Sequence, residues 1–218
     1  MTIKDILTSA SDFPSNFQKA LATVLPEECE FEADGVTIRK ERPDSHGWTF
    51  AGLNQQDDGL PVDEAGNVNS DAHWIVQTYY KEYWLACSCN RLPYPLNVLV
   101  FCQAVNQGIG AEGRILQLSL NDYGAHLTID GQIGQATCQA AMACPDSLGL
   151  ALGFLAKSRA HYRDIVSANP DNQKNLQGWL NRIAGLQAEF CNAVSAATTA
   201  TPEQDQDEGL VITPEFQT

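Results

Sequence analysis

The chain has 218 residues, 13 of them basic and 27 acidic, for a formal charge of −14. That length can bury a substantial core, while the charge excludes the basic face that a nucleic-acid binder sets against phosphates. The acidity also argues against electrostatic attachment to anionic walls or membranes, and the absence of an apolar run of about 18 residues gives no membrane-spanning helix.

The N-terminus, MTIKDILTSASDF, lacks a basic stretch followed by a continuous apolar one. No secretory signal is expected, and the protein is expected to stay in the cytoplasm unless other machinery exports it. Seven cysteines form an odd set without framework spacing, and the four histidines stand far apart. Free, buried thiols are therefore expected, with no metal and no cofactor.

In chain order, Ser11 or Asp12 is placed to cap a first helix, with Pro14 in its first turn. Phe13, Phe17, Leu21, Val24 and Leu25 recur at helical spacing and predict one buried face. The helix then delivers Glu27 or Glu28 at its end, with a kink expected at Pro26. Residues 34–53 read as a small hairpin with a polar turn at Lys40–His46. An acidic loop covers 54–70 but lacks the ordered pattern of a calcium loop. Ser70 or Asp71 caps an aromatic-rich helix, DAHWIVQTYYKEYW. After Pro93 and Pro95, the run LNVLVFCQAVNQG is apolar nearly all round, which predicts a central helix closed by Gly108. A short helix AEGRILQLSL follows, then a turn at Gly131 and Gly134 into another helix. Leu148–Ala168 predicts a long helix, and Asp171 to about Ala197 a last one, before an acidic tail.

These segments carry Val24-Leu25-x-x-Glu28, Asp44-x-x-Gly47-x-Thr49-x-x-Gly52-Leu53 and Tyr80-x-x-Tyr83-Trp84. Further along come Leu92-Pro93, Phe101-x-x-Ala104-Val105-Asn106-x-Gly108, Asp130-Gly131-x-Ile133-Gly134-x-x-Thr137 and Gly178-Trp179-Leu180-Asn181-Arg182. Taken together, from about Phe17 to Leu186, the chain resembles glycoside hydrolase family 108, the lysozyme-like muramidases. The resemblance implies a mainly α, lysozyme-like fold with a small β-hairpin beside the active-site helix. It implies a catalytic part at 13–118, a helical peptidoglycan-binding-like part at 119–190, and a helix end with acidic tail at 191–218.

The implied activity is cleavage of β-1,4 bonds between N-acetylmuramic acid and N-acetylglucosamine, as in a phage endolysin or virion-associated lysin. Glu28 falls on the family's catalytic glutamate, with Asp44 and Thr49 on its turn. Glu28 is the expected general acid, kept protonated by apolar surroundings at a helix C-terminus. Asp44 would polarise water or stabilise the sugar cation, and Thr49 would position that water. Glu30, His46, Trp48 and Asn106 are expected at the substrate, while Glu27 and Glu30 remain rival acids. The chain departs from the family at Pro26, at Cys29-Glu30 where two glycines are usual, and at His46. Those departures support a second reading, an inactive lysozyme-like module that binds glycan or joins a virion through the acidic tail. Expected partners are thus peptidoglycan strands and virion proteins, with chitin as a further substrate. Core packing competes with sugar stacking for Trp48, Trp74, Tyr79, Tyr80 and Tyr83.

Overall fold

The computed structural model describes residues 1–41 and 43–199, with side chains through Glu189. It is mainly α with one two-stranded antiparallel sheet, in keeping with the lysozyme-like fold expected from sequence. The expected acidic tail lies outside the described residues, as does the side chain of Cys191.

The chain opens with a helix that the apolar periodicity did not announce. Helix α1 spans Ile3–Ser9 and is set by a capping box, in which Thr2 and Asp5 each satisfy the other's backbone N–H. It buries only Ile6 fully, too little to leave a periodic signal. Helix α2, Ser15–Glu28, therefore starts later than Ser11 or Asp12 suggested, with Pro14 at its N-cap and no side-chain cap. Its buried face, Phe17, Ala20, Leu21, Val24 and Leu25, follows the expected spacing. Pro26 sits inside the last turn, and the Cys29 N–H still closes on Leu25 O at 3.0 Å. The glutamate at the end thus stays within the helix.

The hairpin differs from the expectation. No single ribbon covers 34–53. Phe31 bridges Ile38 around a turn at Asp34-Gly35, and Asp44 bridges Gly47 in a second, separate turn. The paired strands are β1, Thr49–Phe50, and β2, Leu53–Asn54. They close on Ala51-Gly52, with φ of 52° and 75°. Two left-handed residues between two-residue strands are what a type I′ turn demands, usually as Asn-Gly or Asp-Gly. Alanine in the first position hid that signal.

Asp71 caps helix α3, Ala72–Thr78, by accepting from Trp74 N at 2.7 Å. The helix runs on as a π-helical segment, Tyr79–Leu85, which was read as plain α-helix from sequence. Helix α4, Leu96–Gln107, is the central helix: its residues 96–104 are all buried, and each large apolar side chain there contributes roughly 1.5–3 kcal/mol. Around it stand α5 (Ile109–Asn121), α6 (Gln135–Ala143), α7 (Ser147–Ala168) and α8 (Gln173–Thr199). Phe13, Phe17, Tyr80, Trp84 and Phe101 make a run of mostly edge-to-face contacts joining α2, the π segment and α4. The Asp130–Gly134 segment crosses α5 so closely that any Cβ at Gly113 would strike the Gly131 carbonyl. Cys87, Cys89, Cys102 and Cys138 are buried and free, and Cys29 and Cys144 are half-buried and free.

Candidate functional site

Glu28 ends α2 at the point where three parts of the chain meet. Its Oε1 accepts from Arg182 Nη1 of α8 at 2.6 Å, with side chains only 20% and 15% exposed. The hairpin turn presses on its other side. A Cβ at Gly52 would lie 2.6 Å from Glu28 Cβ and 2.6 Å from the Tyr79 hydroxyl. Only glycine fits there, both for space and for its positive φ. Tyr79, fully buried in the π segment, donates to the Ala51 carbonyl at 2.9 Å and locks the turn in place. Tyr83, four residues on, donates to Asp58 at 3.0 Å. Both tyrosines, for which packing competed with sugar stacking, thus fasten the loop.

The surroundings of Glu28 differ from the apolar pocket expected of it: a guanidinium stands beside the carboxyl group. Its Oε2 accepts no hydrogen bond from the described residues. Next door, Cys29 is pushed up to about 12, by burial first and then by Glu28 and Glu41.

The other sequence-derived residues have surroundings of their own. Thr49 opens β1, half-buried, and its carbonyl accepts from Glu41 N at 2.9 Å. Asp44 is exposed and closes its own turn, accepting from His46 N at 2.7 Å. His46 is exposed and faces Asp57 at 3.1 Å. Glu30 pairs with Arg39 at 2.8 Å on the surface. Trp48 lies under the Lys40 ammonium, 3.9 Å from the ring centroid, with Gly66 against its edge. Asn106, near the end of α4, donates to the Tyr162 hydroxyl on α7. Glu27 is exposed on α2.

Two residues with no role assigned from sequence belong here. Arg182 appeared only as part of a motif; its signal was being the last cation of the chain. Glu41 was passed over inside a polar turn. It is half-buried, hydrogen-bonded through its backbone to Thr49, and its carboxyl is raised. Burial is the main cause and repulsion from Glu30 the next, opposed by Arg39, with Asp44 and Glu28 adding further repulsion. A desolvated carboxyl crowded by other acids holds its proton more firmly than an exposed one.

A buried polar network lies deeper, between α4, α5 and α7. Glu112 is wholly buried and neither carboxyl oxygen has a partner among the described residues. Burial pushes it far above the usual carboxylate range. Gln103 and Tyr162, near it, bond to each other at 3.4 Å.

A family model described as "Predicted Peptidoglycan domain" matches residues 112–184, from the first turn of α5 into α8. No curated protein matches the sequence. Among solved structures, the chain is similar to the structure of Brucella abortus SagA. The two are 18% identical over 79% of this chain and 92% of that one, with a TM-score of 0.60. At that identity the likeness is one of fold.

Proposed function

We propose that this protein is a peptidoglycan hydrolase of the muramidase type, close to glycoside hydrolase family 108, with Glu28 as its proton donor. The observation that carries the reading is the seating of Glu28: a helix-ending glutamate clamped between a glycine hairpin turn and an arginine from the last helix. The match of residues 112–184 to a peptidoglycan model supports it. In this reading Arg182 donates to Oε1 of the neutral acid, and Oε2 delivers its proton to the oxygen between N-acetylmuramic acid and N-acetylglucosamine. A second carboxylate then holds water or faces the sugar cation. Asp44 and Glu41 compete for that role, and Glu41, joined through its backbone to Thr49, is the better enclosed. A phage lysin, made in the cytoplasm and reaching the wall on release or within a virion, fits this activity.

The test is digestion of purified Gram-negative peptidoglycan with wild type, Glu28→Gln and Glu41→Gln, the products read by mass spectrometry. New reducing-end muropeptides from wild type and none from Glu28→Gln are expected. Activity that survives Glu28→Gln and disappears in Glu41→Gln moves the proton donor to Glu41. A folded wild type that releases no products overturns the hydrolase reading.

One specific observation favours a second reading, an inactive module that binds glycan or builds a virion. Glu28 is ion-paired and Asp44 serves its own turn, so both acids already have structural partners. Binding to intact peptidoglycan without cleavage is its signature. Reducing ends released from chitin oligomers would instead widen the substrate class.

A further inference from the structure

Away from Glu28, one corner of the fold gathers buried polar side chains that the protein itself leaves unpaired. Helices α4 and α5 meet at Gly108, which closes the first and opens the second, so the end of α4 packs against the start of α5. Gln103 and Gln107, four residues apart, lie on one face of α4. Glu112 sits in the first turn of α5, its backbone N–H bonded to the Gly108 carbonyl at 3.2 Å. Tyr162 of α7 closes the third side, with Gln107 and Glu112 both within electrostatic reach of its hydroxyl group.

Most of the polar atoms here are accounted for. Tyr162 donates to Gln103 Oε1 at 3.4 Å and accepts from Asn106 Nδ2. Gln107 Nε2 donates to the same Gln103 Oε1 at 2.8 Å. Gln103 Nε2, Gln107 Oε1 and both oxygens of Glu112 are buried without a partner among the described residues. Gln103 and Glu112 are 0% exposed. Orphaned polar groups at that depth are rare in folded proteins, and an ordered water shared among them is the usual remedy.

The unpaired set is balanced. No ion pair of the described residues reaches Glu112, and the titratable groups facing it are a thiol, Cys87, and a phenol, Tyr162; neither supplies a positive charge. Burial therefore keeps the carboxyl group neutral. A neutral carboxyl offers one O–H and one carbonyl oxygen. With Gln103 Nε2 and Gln107 Oε1 the corner then presents two donors and two acceptors, the complement of a single water molecule. We infer that one water molecule is built into the α4–α5–α7 corner, bridging Glu112, Gln103 and Gln107. A cation fits less well, because the amide donor of Gln103 would face it. The Tyr162 ring stacks on Trp179 with centroids 4.9 Å apart, so the hydrated network backs α8 one turn before Arg182. The inference does not depend on the hydrolase reading.

The test is a crystal structure of the full chain at a resolution that shows ordered water, with and without thallium(I) acetate, alongside water-exchange NMR of isotope-labelled protein. A peak within about 2.7–3.2 Å of Gln103 Nε2, Gln107 Oε1 and a Glu112 oxygen is expected, with no anomalous signal from thallium. In solution the Gln103 side-chain amide should show a cross-peak to long-lived water. Glu112→Gln keeps a donor and an acceptor, and is expected to keep the water. Glu112→Met has similar length and neither group, and is expected to lose both the peak and the cross-peak. If Glu112→Met does not fold, wild type and Glu112→Gln carry the test alone. A missing peak, a direct bond from Glu112 to either glutamine, or a water lost in Glu112→Gln overturns the inference. So does a water that persists in Glu112→Met, and a thallium peak would show a cation on an ionised carboxylate instead.

Discussion

Replacing Gly52 by alanine tests whether the hairpin turn is what seats Glu28. The added methyl would stand 2.6 Å from both Glu28 Cβ and the Tyr79 hydroxyl, and it would sit on a residue at φ 75°. A left-handed alanine costs about 1 kcal/mol, and overpacking a filled site costs about 1–3 kcal/mol. Together they predict a loss of roughly 2–4 kcal/mol, which for a chain of this size lowers Tm by roughly 4–16 °C. Urea denaturation followed by tryptophan fluorescence measures it. Tyr79→Phe removes one of the two obstructing atoms, at the expense of leaving the buried Ala51 carbonyl unpaired, about 1–3 kcal/mol. The double variant should therefore be more stable than the summed single losses predict, by about 0.5 kcal/mol or more. Gly52→Ala within about 0.5 kcal/mol of wild type, or strict additivity with Tyr79→Phe, would refute the clamp.

Arg182→Met should destabilise the fold by about 1.5–3 kcal/mol, as expected for a charged hydrogen bond largely out of water. Adding Glu28→Gln should recover part of that loss, and a denaturation cycle showing no coupling would remove the pair from the account. Burial raises Glu112, so the folded state keeps a proton that the unfolded chain gives up above about pH 4.3. Stability from this group is therefore lost as pH climbs from about 4.3 toward neutrality. Glu112→Gln should flatten the decline of Tm between about pH 4 and 7, and an unchanged slope would count against a protonated Glu112. With Cys29 at about 12, almost none of it is thiolate at pH 8, so iodoacetamide should label wild type and Cys29→Ser at the same initial rate. A clear drop in rate for the variant would contradict that environment.

The sequence made the helices legible where apolar residues recur over several turns. Phe17 to Leu25 announced α2, and the nearly unbroken apolar run from Leu96 announced the central α4. It also brought Glu27 or Glu28 to the helix end, and the family resemblance singled out Glu28. Elements set by one or two residues were harder to read. Helix α1 depends on the Thr2–Asp5 box, and the hairpin turns on an alanine where asparagine or aspartate is the usual marker. The π register at Tyr79–Leu85 leaves no pattern of its own, yet it aims Tyr79 at Ala51 and Tyr83 at Asp58. The site's charge partners were illegible for a different reason. Arg182 and Glu28 are 154 positions apart, and local spacing carries no trace of such a pairing. Glu41 owes its character to burial and to neighbours on separate turns, which only the folded chain brings together.

That separation between Glu28 and Arg182 also has a consequence in time. During synthesis the glutamate leaves the ribosome early, while the arginine that receives it is still about 150 codons away. Helix α2 and the hairpin can form beforehand, yet the acid acquires its partner only after α7 and the first turns of α8 have emerged. The nascent chain thus passes most of its elongation with this corner unfinished, and a truncation before α8 leaves Glu28 permanently without its guanidinium.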